Sequence, residues 1–220
     1  MKPPKNISKI ISLLKKQTKQ FENPIATEIG EKTKSPFKVL ISCILSLRTK
    51  DTTTGPAAKR LFQLAKTPKD MLKLTKKQIE KAIFPVGFYP TKAKYIQKTC
   101  KKLIKDYNSK VPNKEEELLK LPGIGRKCMS IVQCYGFFKS GYLAIDTHCH
   151  RIPNRLGWIK TKTPEQTENT LKEILPRKHW KEFNDIIVTF GQNICVPISP
   201  FCSKCYIKKH CPRINVKKSR

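Results

Sequence analysis

Residues 121–127 read LPGIGRK and join two segments that have the apolar spacing of helices. Acidic and apolar residues precede Leu121, and a second helix is predicted to begin near Arg126. Gly123 and Gly125 permit positive φ angles in a tight turn and let a ligand approach the backbone closely. The second helix offers unpaired N–H groups and the positive end of its dipole to an anion. The segment therefore predicts a helix–hairpin–helix that binds a phosphate group without reading a base.

The charge of the chain favours DNA as the source of that phosphate. The 220 residues include 46 Lys and Arg against 16 Asp and Glu, which gives a formal net charge of +30. Such a field attracts polyanions, with nucleic acid as the first partner class and an anionic membrane surface as the second. No basic amphipathic helix rich in Trp and Phe supports the membrane. An ordinary glycine-rich turn is the weaker explanation of the hairpin in a chain of this charge.

The composition is that of a globular protein. Hydrophobic residues make up 38% and charged residues 28% of the chain, which excludes the disordered and membrane-embedded classes. The longest apolar run, residues 39–47, is interrupted by serine and is too short to span a bilayer. No apolar signal-peptide segment follows the basic N-terminus. We expect a cytoplasmic protein without a secretion or membrane signal, associated with the nucleoid if its source is prokaryotic.

Helical periodicity extends over nearly the whole chain and predicts roughly ten short helices and no strand pair. Polar residues with free side-chain oxygens stand just before several apolar stripes, where they can accept hydrogen bonds from the first turn of a helix. Thr75 followed by Gln78 has the pattern of a capping box. The predicted N-cap residues are Ser35, Asp51, Thr67, Thr75, Asn113 and Thr163.

Lys127 lies in the first turn of the helix that follows the hairpin. The positive end of the helix dipole and the neighbouring Arg126 disfavour the protonated amine at this position. A neutral lysine is a nucleophile. Position alone favours a phosphate-binding lysine, because the chain is so rich in this residue. The local sequence therefore allows either role.

The segment AIDTHCHR, residues 144–151, predicts a helix with Asp146 as its N-cap. A capping carboxylate is fixed in orientation, which also suits a catalytic carboxylate. His148, Cys149 and His150 resemble metal ligands in type. Because adjacent helical residues point about 100° apart, these three side chains cannot converge on one ion.

Four of the nine cysteines are concentrated near the C-terminus with the spacing Cys-x6-Cys-x2-Cys-x5-Cys. The other five are scattered, which argues against a disulfide framework. The spacing predicts a tetrathiolate metal site, and the ligand type alone is compatible with a zinc ion or an iron–sulfur cluster. The predicted ligands are Cys195, Cys202, Cys205 and Cys211.

The hairpin, the aspartate motif and the cysteine spacing together resemble the endonuclease III family, the helix–hairpin–helix DNA glycosylases with an iron–sulfur cluster. The segments ILSLRTKD (44–51) and VGFYPTKA (86–93) are also similar to the family, so the likeness covers nearly the whole chain.

The resemblance implies an all-α, two-lobed helix–hairpin–helix DNA glycosylase fold. Residues 28–132 would form a six-helix barrel that contains the helix–hairpin–helix at about 114–138. Residues 1–27 and 133–220 would form the iron–sulfur cluster domain. The four cysteines would then hold a [4Fe–4S] cluster.

The resemblance also implies a DNA N-glycosylase and AP lyase that removes oxidised pyrimidines from duplex DNA in base excision repair. Lys127 would attack the sugar C1′, form a Schiff base and cleave the strand by β-elimination. Asp146, facing Lys127 across a cleft, would help to deprotonate it and would stabilise the cationic sugar. The implied partner is double-stranded DNA with damaged bases or abasic sites, bound by a monomer.

Two positions depart from the family pattern. Arg48 stands where many members carry Gln in the loop that fills the gap left by a flipped base, and Phe88 stands where a Leu wedge is expected. Both side chains can still insert into a base stack, so the departures concern base and opposite-base preference rather than the reaction. The expected DNA-binding residues are Arg48, Phe88, Leu121, Gly123, Gly125, Arg126, Lys208 and Lys209.

Other functions are compatible with parts of the pattern. An adenine-mismatch glycosylase of the same clan would share the cluster, but it would lack the lysine at position 127 and carry a further C-terminal domain. A non-catalytic DNA-binding module would use the cysteines for structural zinc. A polyanion-binding structural protein would have no use for Lys127 and Asp146 in these contexts.

Overall fold

A computed structural model describes Pro4 and residues 6–220 of the chain. This described part consists of helices and connecting loops without a β-strand. The predicted all-α class is therefore confirmed. Residues 1–3 and 5, at the start of the predicted 1–27 segment, lie outside the described residues. Within the described residues, no helix is long and apolar enough to cross a membrane.

Twelve α-helices occur in the described part of the chain, slightly more than the periodicity predicts. A π-helical turn, Val132–Gly136, directly extends the ninth helix, and short 3₁₀ turns occur toward the C-terminus. The helices are α1 (Ile7–Thr18), α2 (Ile25–Thr33), α3 (Pro36–Ser46), α4 (Asp51–Leu64), α5 (Pro68–Lys73), α6 (Lys76–Ile83), α7 (Tyr89–Tyr107), α8 (Glu115–Leu119), α9 (Arg126–Ile131), α10 (Thr147–Arg155), α11 (Pro164–Ile174) and α12 (Trp180–Asn193).

The helices form two compact units. One unit is the continuous segment Ile25–Ser140, and the other combines the described part of Met1–Pro24 with Gly141–Arg220. The predicted barrel, residues 28–132, and the helix–hairpin–helix both fall in the continuous unit. The second unit is discontinuous in sequence, since its first helix precedes the continuous unit and the rest follows it.

Side-chain caps fix several of the helix starts. Thr75 accepts a hydrogen bond from the Gln78 N–H, and the Gln78 side chain accepts one from the Thr75 N–H, which confirms the capping box. Two predicted caps are wrong. Asp51 is the first residue of α4 and not its cap, and Asn113 lies two residues before α8. The confirmed N-caps are Ser35, Thr67, Thr75 and Thr163.

The core of the continuous unit forms around α3, whose residues are buried on nearly all sides. This helix packs against α2, α4, α7, α9 and the π-helical turn. Gly30 of α2 makes this packing possible, because a Cβ there would lie 2.7 Å from the Tyr135 carbonyl oxygen. The central position of α3 explains its apolar run. Its fully buried residues include Val39, Leu40, Ile41, Ile44 and Leu45.

In the discontinuous unit, the apolar face of α1 packs against α12. At the end of α1, the buried Gln17 bonds to the cysteine-rich segment. Its Nε2 donates to the Lys204 carbonyl oxygen at 2.7 Å, and its Oε1 accepts from the Tyr206 N–H at 3.0 Å. The first helix of the chain thus stabilises the backbone between the last cysteines.

Candidate functional site

The hairpin between α8 and α9 has the positive φ angle that the sequence predicts at Gly123 but not at Gly125, whose φ is −105°. Gly123 has a φ of 79°, and a Cβ at this position would lie 2.8 Å from Cδ2 of Tyr95. A side chain is therefore excluded by backbone conformation and by space. Around Gly125 there is no heavy atom within 4 Å of a Cβ position, so its surface is open. The hairpin packs closely against Tyr95 at Gly123 and is accessible at Gly125.

The residues around the hairpin differ in how they can meet a ligand. Arg126 is exposed and Lys127 is half-buried, in the first turn of α9 as predicted. No side chain caps α9, and the start of a helix is where main-chain N–H groups and the helix dipole favour an anion. Leu121 is only 2% exposed, and its side chain belongs to the core. Its main-chain N–H donates to the Leu118 carbonyl oxygen at 3.1 Å. The DNA contact of Leu121 therefore stays a prediction, without an exposed side chain to make it.

Asp146 caps α10, as the sequence predicts. Its Oδ1 accepts hydrogen bonds from the His148 N–H at 2.9 Å and the Cys149 N–H at 2.8 Å. Nearby, Gly191 lets α12 approach α10, because a Cβ at Gly191 would lie 2.4 Å from Nδ1 of His148. The carboxylate is half-buried and fixed in orientation.

Two arginines of α10 connect this helix to the first of the clustered cysteines. Nη2 of Arg151 donates to the Cys195 carbonyl oxygen at 2.8 Å. Arg155, only 7% exposed, donates from Nη1 to the Cys195 Sγ at 3.3 Å and to the Val196 carbonyl oxygen at 2.8 Å. The same helix, α10, thus has Asp146 as its N-cap and two arginines further along the helix that bond to Cys195.

The four clustered cysteines line one cavity of the discontinuous unit, together with apolar residues of α10 and α12. Burial, with a smaller contribution from the other three thiols, raises the pKa of Cys205 to about 11. Ionising these thiols together is favourable only if a positively charged group offsets the charge of the thiolates. Among the described side chains, no group of three or more Cys, His, Asp or Glu residues is close enough to hold a single metal ion. The four thiols therefore line the cavity without meeting at one point.

The remaining predicted DNA contacts lie on exposed loops. Arg48 follows α3 and Phe88 precedes α7; both have left-handed backbones, with φ angles of 52° and 56°. Phe88 is 61% exposed, a large value for an aromatic side chain. Lys208 and Lys209 are exposed in a 3₁₀ turn between the last two cysteines.

Comparison with known proteins identifies the family. Residues 41–177 match the family described as HhH-GPD superfamily base excision DNA repair protein. The endonuclease III of Thermotoga maritima is 47% identical over 83% of this chain and 85% of its own length. The chain belongs to the endonuclease III family. An endonuclease III homolog 2, chloroplastic, of Arabidopsis thaliana is 37% identical over 96% of this chain and 58% of its own length.

Solved structures of endonuclease III have the same fold as this chain. A trapped endonuclease III–DNA covalent intermediate matches with a TM-score of 0.83 and 31% identity, over 94% of this chain and 95% of that one. A non-covalent endonuclease III–DNA complex matches with the same TM-score. The predicted helix–hairpin–helix glycosylase fold is confirmed, and the chain is a DNA glycosylase/AP lyase whose partner is DNA.

The sequence did not lead us to one buried charged residue of this chain. Lys92 of α7 is 2% exposed, and burial lowers its pKa to about 8. The available signal was its place inside VGFYPTKA, next to the apolar stripe of a helix. A lysine at the edge of such a stripe is usually solvated, so the periodicity gave no reason to single it out.

Proposed function

We propose that this protein excises oxidised pyrimidines from duplex DNA through a lysine Schiff base and then cleaves the strand by β-elimination. The observation that carries the proposal is the position of Lys127. It lies in the first turn of α9, a helix without a side-chain cap, and directly follows a hairpin that is accessible to a ligand at Gly125. A phosphate bound there would bring the deoxyribose of the same strand toward the Lys127 amine.

In the proposed reaction, the neutral Lys127 amine attacks C1′ of the damaged nucleotide. A bond forms between Nζ and C1′, and the glycosidic bond breaks as the base leaves with a proton. The sugar ring opens to a Schiff base, which makes the C2′ proton acidic. Loss of that proton expels the 3′ phosphate and nicks the strand. Hydrolysis of the imine then releases Lys127.

Asp146 is proposed to support this chemistry without bonding to the sugar. Its carboxylate is held by two main-chain donors, so it needs no reorganisation during the reaction. It would take up the proton of the Lys127 ammonium and offset the positive charge that develops on the sugar.

The other predicted DNA contacts are of two kinds, contacts to phosphate and contacts to the base stack. Gly123, Gly125 and Arg126 would bind phosphate at the hairpin, where main-chain donors and a cation meet one anion. The exposed Arg48 and Phe88 would enter the base stack when the damaged nucleotide is flipped out. Further phosphate contacts would come from Lys208 and Lys209, and one monomer would bind each damaged or abasic site.

Borohydride trapping tests this function. The purified chain is incubated with duplexes that contain thymine glycol, 8-oxoguanine, an adenine–guanine mismatch or an abasic site, in the presence of borohydride. We expect covalent adducts and strand cleavage with thymine glycol and with the abasic site, because both give the reducible imine. Release of adenine from the mismatch without an adduct would instead favour the adenine-mismatch glycosylase.

We infer that the four clustered cysteines hold a [4Fe–4S] cluster in the unit formed by Met1–Pro24 and Gly141–Arg220. Their half-buried thiols line one cavity, and the Arg155 guanidinium donates to the Cys195 sulfur, a contact that suits a thiolate ligand. When bound, the cluster would supply the positive iron charge that these thiolates require. The basic turn between Cys205 and Cys211 would then be held as a DNA-contacting loop.

Replacing one cysteine ligand should show whether the four cysteines hold an iron–sulfur cluster or a zinc ion. We expect Cys202→Ser to lose the broad visible absorption of an iron–sulfur protein and to become poorly soluble, since three uncompensated thiols remain in the cavity. Cys100→Ala is the matched control, because Cys100 is buried in the other unit. Absorption spectra and iron analysis give the answer. A colourless parent with zinc, or full colour in Cys202→Ser, would contradict the assignment.

A further inference from the structure

Lys92 makes a buried hydrogen-bonding centre beneath the loop that carries Arg48. Its Nζ donates to the Leu45 carbonyl oxygen at 2.7 Å, to the Leu47 carbonyl oxygen at 2.5 Å and to the Thr49 Oγ1 at 2.9 Å. An ammonium group has three protons, so these bonds use all of them. Leu47 and Thr49 are the two chain neighbours of Arg48, and Lys92 therefore fixes the backbone on both sides of it.

The conformation of Arg48 requires such support. Its φ of 52° lies in the left-handed region, which is unfavourable for a residue with a Cβ and persists only where the surroundings impose it. The side chain itself is exposed. A free loop would give up this conformation, and the Lys92 bonds oppose that change.

The same lysine also holds the loop that carries Phe88. The Lys92 main-chain N–H donates to the Phe88 carbonyl oxygen at 3.0 Å. Between the two loops, Gly87 leaves so little space that a Cβ would lie 3.3 Å from the Arg48 carbonyl oxygen and 3.2 Å from the Thr49 Oγ1. The loops bearing Arg48 and Phe88 are thus in contact. The Lys92 side chain bonds directly to the Arg48 loop and supports the Phe88 loop through this contact, whereas the main-chain bond to Phe88 is part of the first turn of α7 and does not depend on the side chain.

We propose that Lys92 is a positioning residue that holds Arg48 and Phe88 as one preorganised pair for insertion into duplex DNA. The inference rests on the proposed function, because it assigns a purpose to the pair in flipping the damaged nucleotide. Insertion must offset the cost of unstacking. Side chains on loops that are already ordered lose less entropy on insertion, so more of their interaction is left to offset that cost.

The test compares a substrate that needs insertion with one that does not. Lys92→Met keeps the length of the side chain and removes all three donors. We expect single-turnover excision of thymine glycol from duplex DNA to fall roughly 10- to 100-fold, as for a misplaced positioning group. Cleavage of an abasic site in single-stranded DNA should change little, because there is no opposite strand and no gap. Lys94→Met, an exposed lysine on the same helix, is the control for lost charge and should match the parent on both substrates.

A second comparison asks whether Lys92 acts through the pair. In an Arg48→Ala/Phe88→Ala background, adding Lys92→Met should cause little further loss of duplex excision. Equal losses on duplex and single-stranded substrates, or a full additional loss in that background, would overturn the proposal. A parent that gives no lyase product even on single-stranded abasic DNA would instead refute the proposed function.

Thr49→Val provides a milder variant should Lys92→Met fail to fold. It removes one acceptor and preserves the shape of the side chain. The same pattern is expected, with duplex excision lowered and single-stranded cleavage retained, and 2-aminopurine opposite the lesion should fluoresce less on binding. Unchanged duplex excision in folded Thr49→Val would count against Lys92 as the positioning residue.

Discussion

Lys127→Gln is expected to eliminate the borohydride-trapped adduct and to lower strand cleavage by roughly 10³-fold or more, as for loss of a covalent nucleophile. An amide cannot form a Schiff base with the sugar aldehyde. Glutamine is a good helix former of similar length, so the half-buried position in α9 should tolerate it. Binding of damaged duplex DNA should therefore remain close to that of the parent. Adduct yield and cleavage are measured on denaturing gels, and affinity by a separate binding titration.

Lys120→Gln is the matched control for that variant. Lys120 is exposed at the C-terminal end of α8, on the other side of the same hairpin, and its loss removes the same charge. It should form the adduct at nearly the parental yield. If Lys127→Gln formed adduct at the parental yield, the nucleophile would have to be sought among the other lysines.

Asp146→Asn is expected to separate base removal from strand cleavage. Excision of thymine glycol should fall by roughly 10³-fold, because the positive sugar loses its counter-charge. Trapping on a preformed abasic site should persist, since no base has to leave there. Asparagine is also a strong N-cap residue, so its side-chain oxygen can keep the bonds to the His148 and Cys149 N–H groups. Single-turnover rates on the two substrates provide the measurement.

Comparison of Asp146→Ala with Asp146→Asn isolates the contribution of the N-cap to stability. Asp146→Ala removes charge and cap together and should lower the free energy of unfolding by about 1 kcal/mol relative to Asp146→Asn. Thermal or denaturant unfolding measures this difference. Equal losses of Asp146→Asn on both substrates would mean that the residue mainly shapes its helix, and the proposed electrostatic role would be abandoned.

The features that the sequence predicts well are local ones. The caps Ser35 and Thr75 bond to groups three residues away, so their chemistry is complete within one turn of helix. The hairpin is equally local, because Gly123 is required by its own φ. Asp51 shows the limit of such signals, since an acidic residue suits both the cap and the first turn of a helix, and only the backbone decides between them.

The features that the sequence could not supply depend on distant partners. Lys92 bonds to acceptors that precede it in the sequence by 43 to 47 positions. The apolar periodicity of α7 gives no information about these acceptors. The contact between Arg155 and Cys195 spans 40 positions in the same way. The cysteine spacing predicts a metal site, but it contains no sign of the arginine that contacts Cys195. Tertiary packing decides both contacts.

The packing of α1 against α12 has a consequence for the order of events during synthesis. The segment Ile25–Ser140 is continuous, so it can fold while the rest of the chain is still on the ribosome. The apolar face of α1 is made first but gains its partner only when α12 emerges, about 160 residues later. Until then this face is a hydrophobic surface available to chaperones. Because Gln17 of α1 also bonds to the cysteine-rich segment, we expect that segment to become ordered only once α1 has packed against α12.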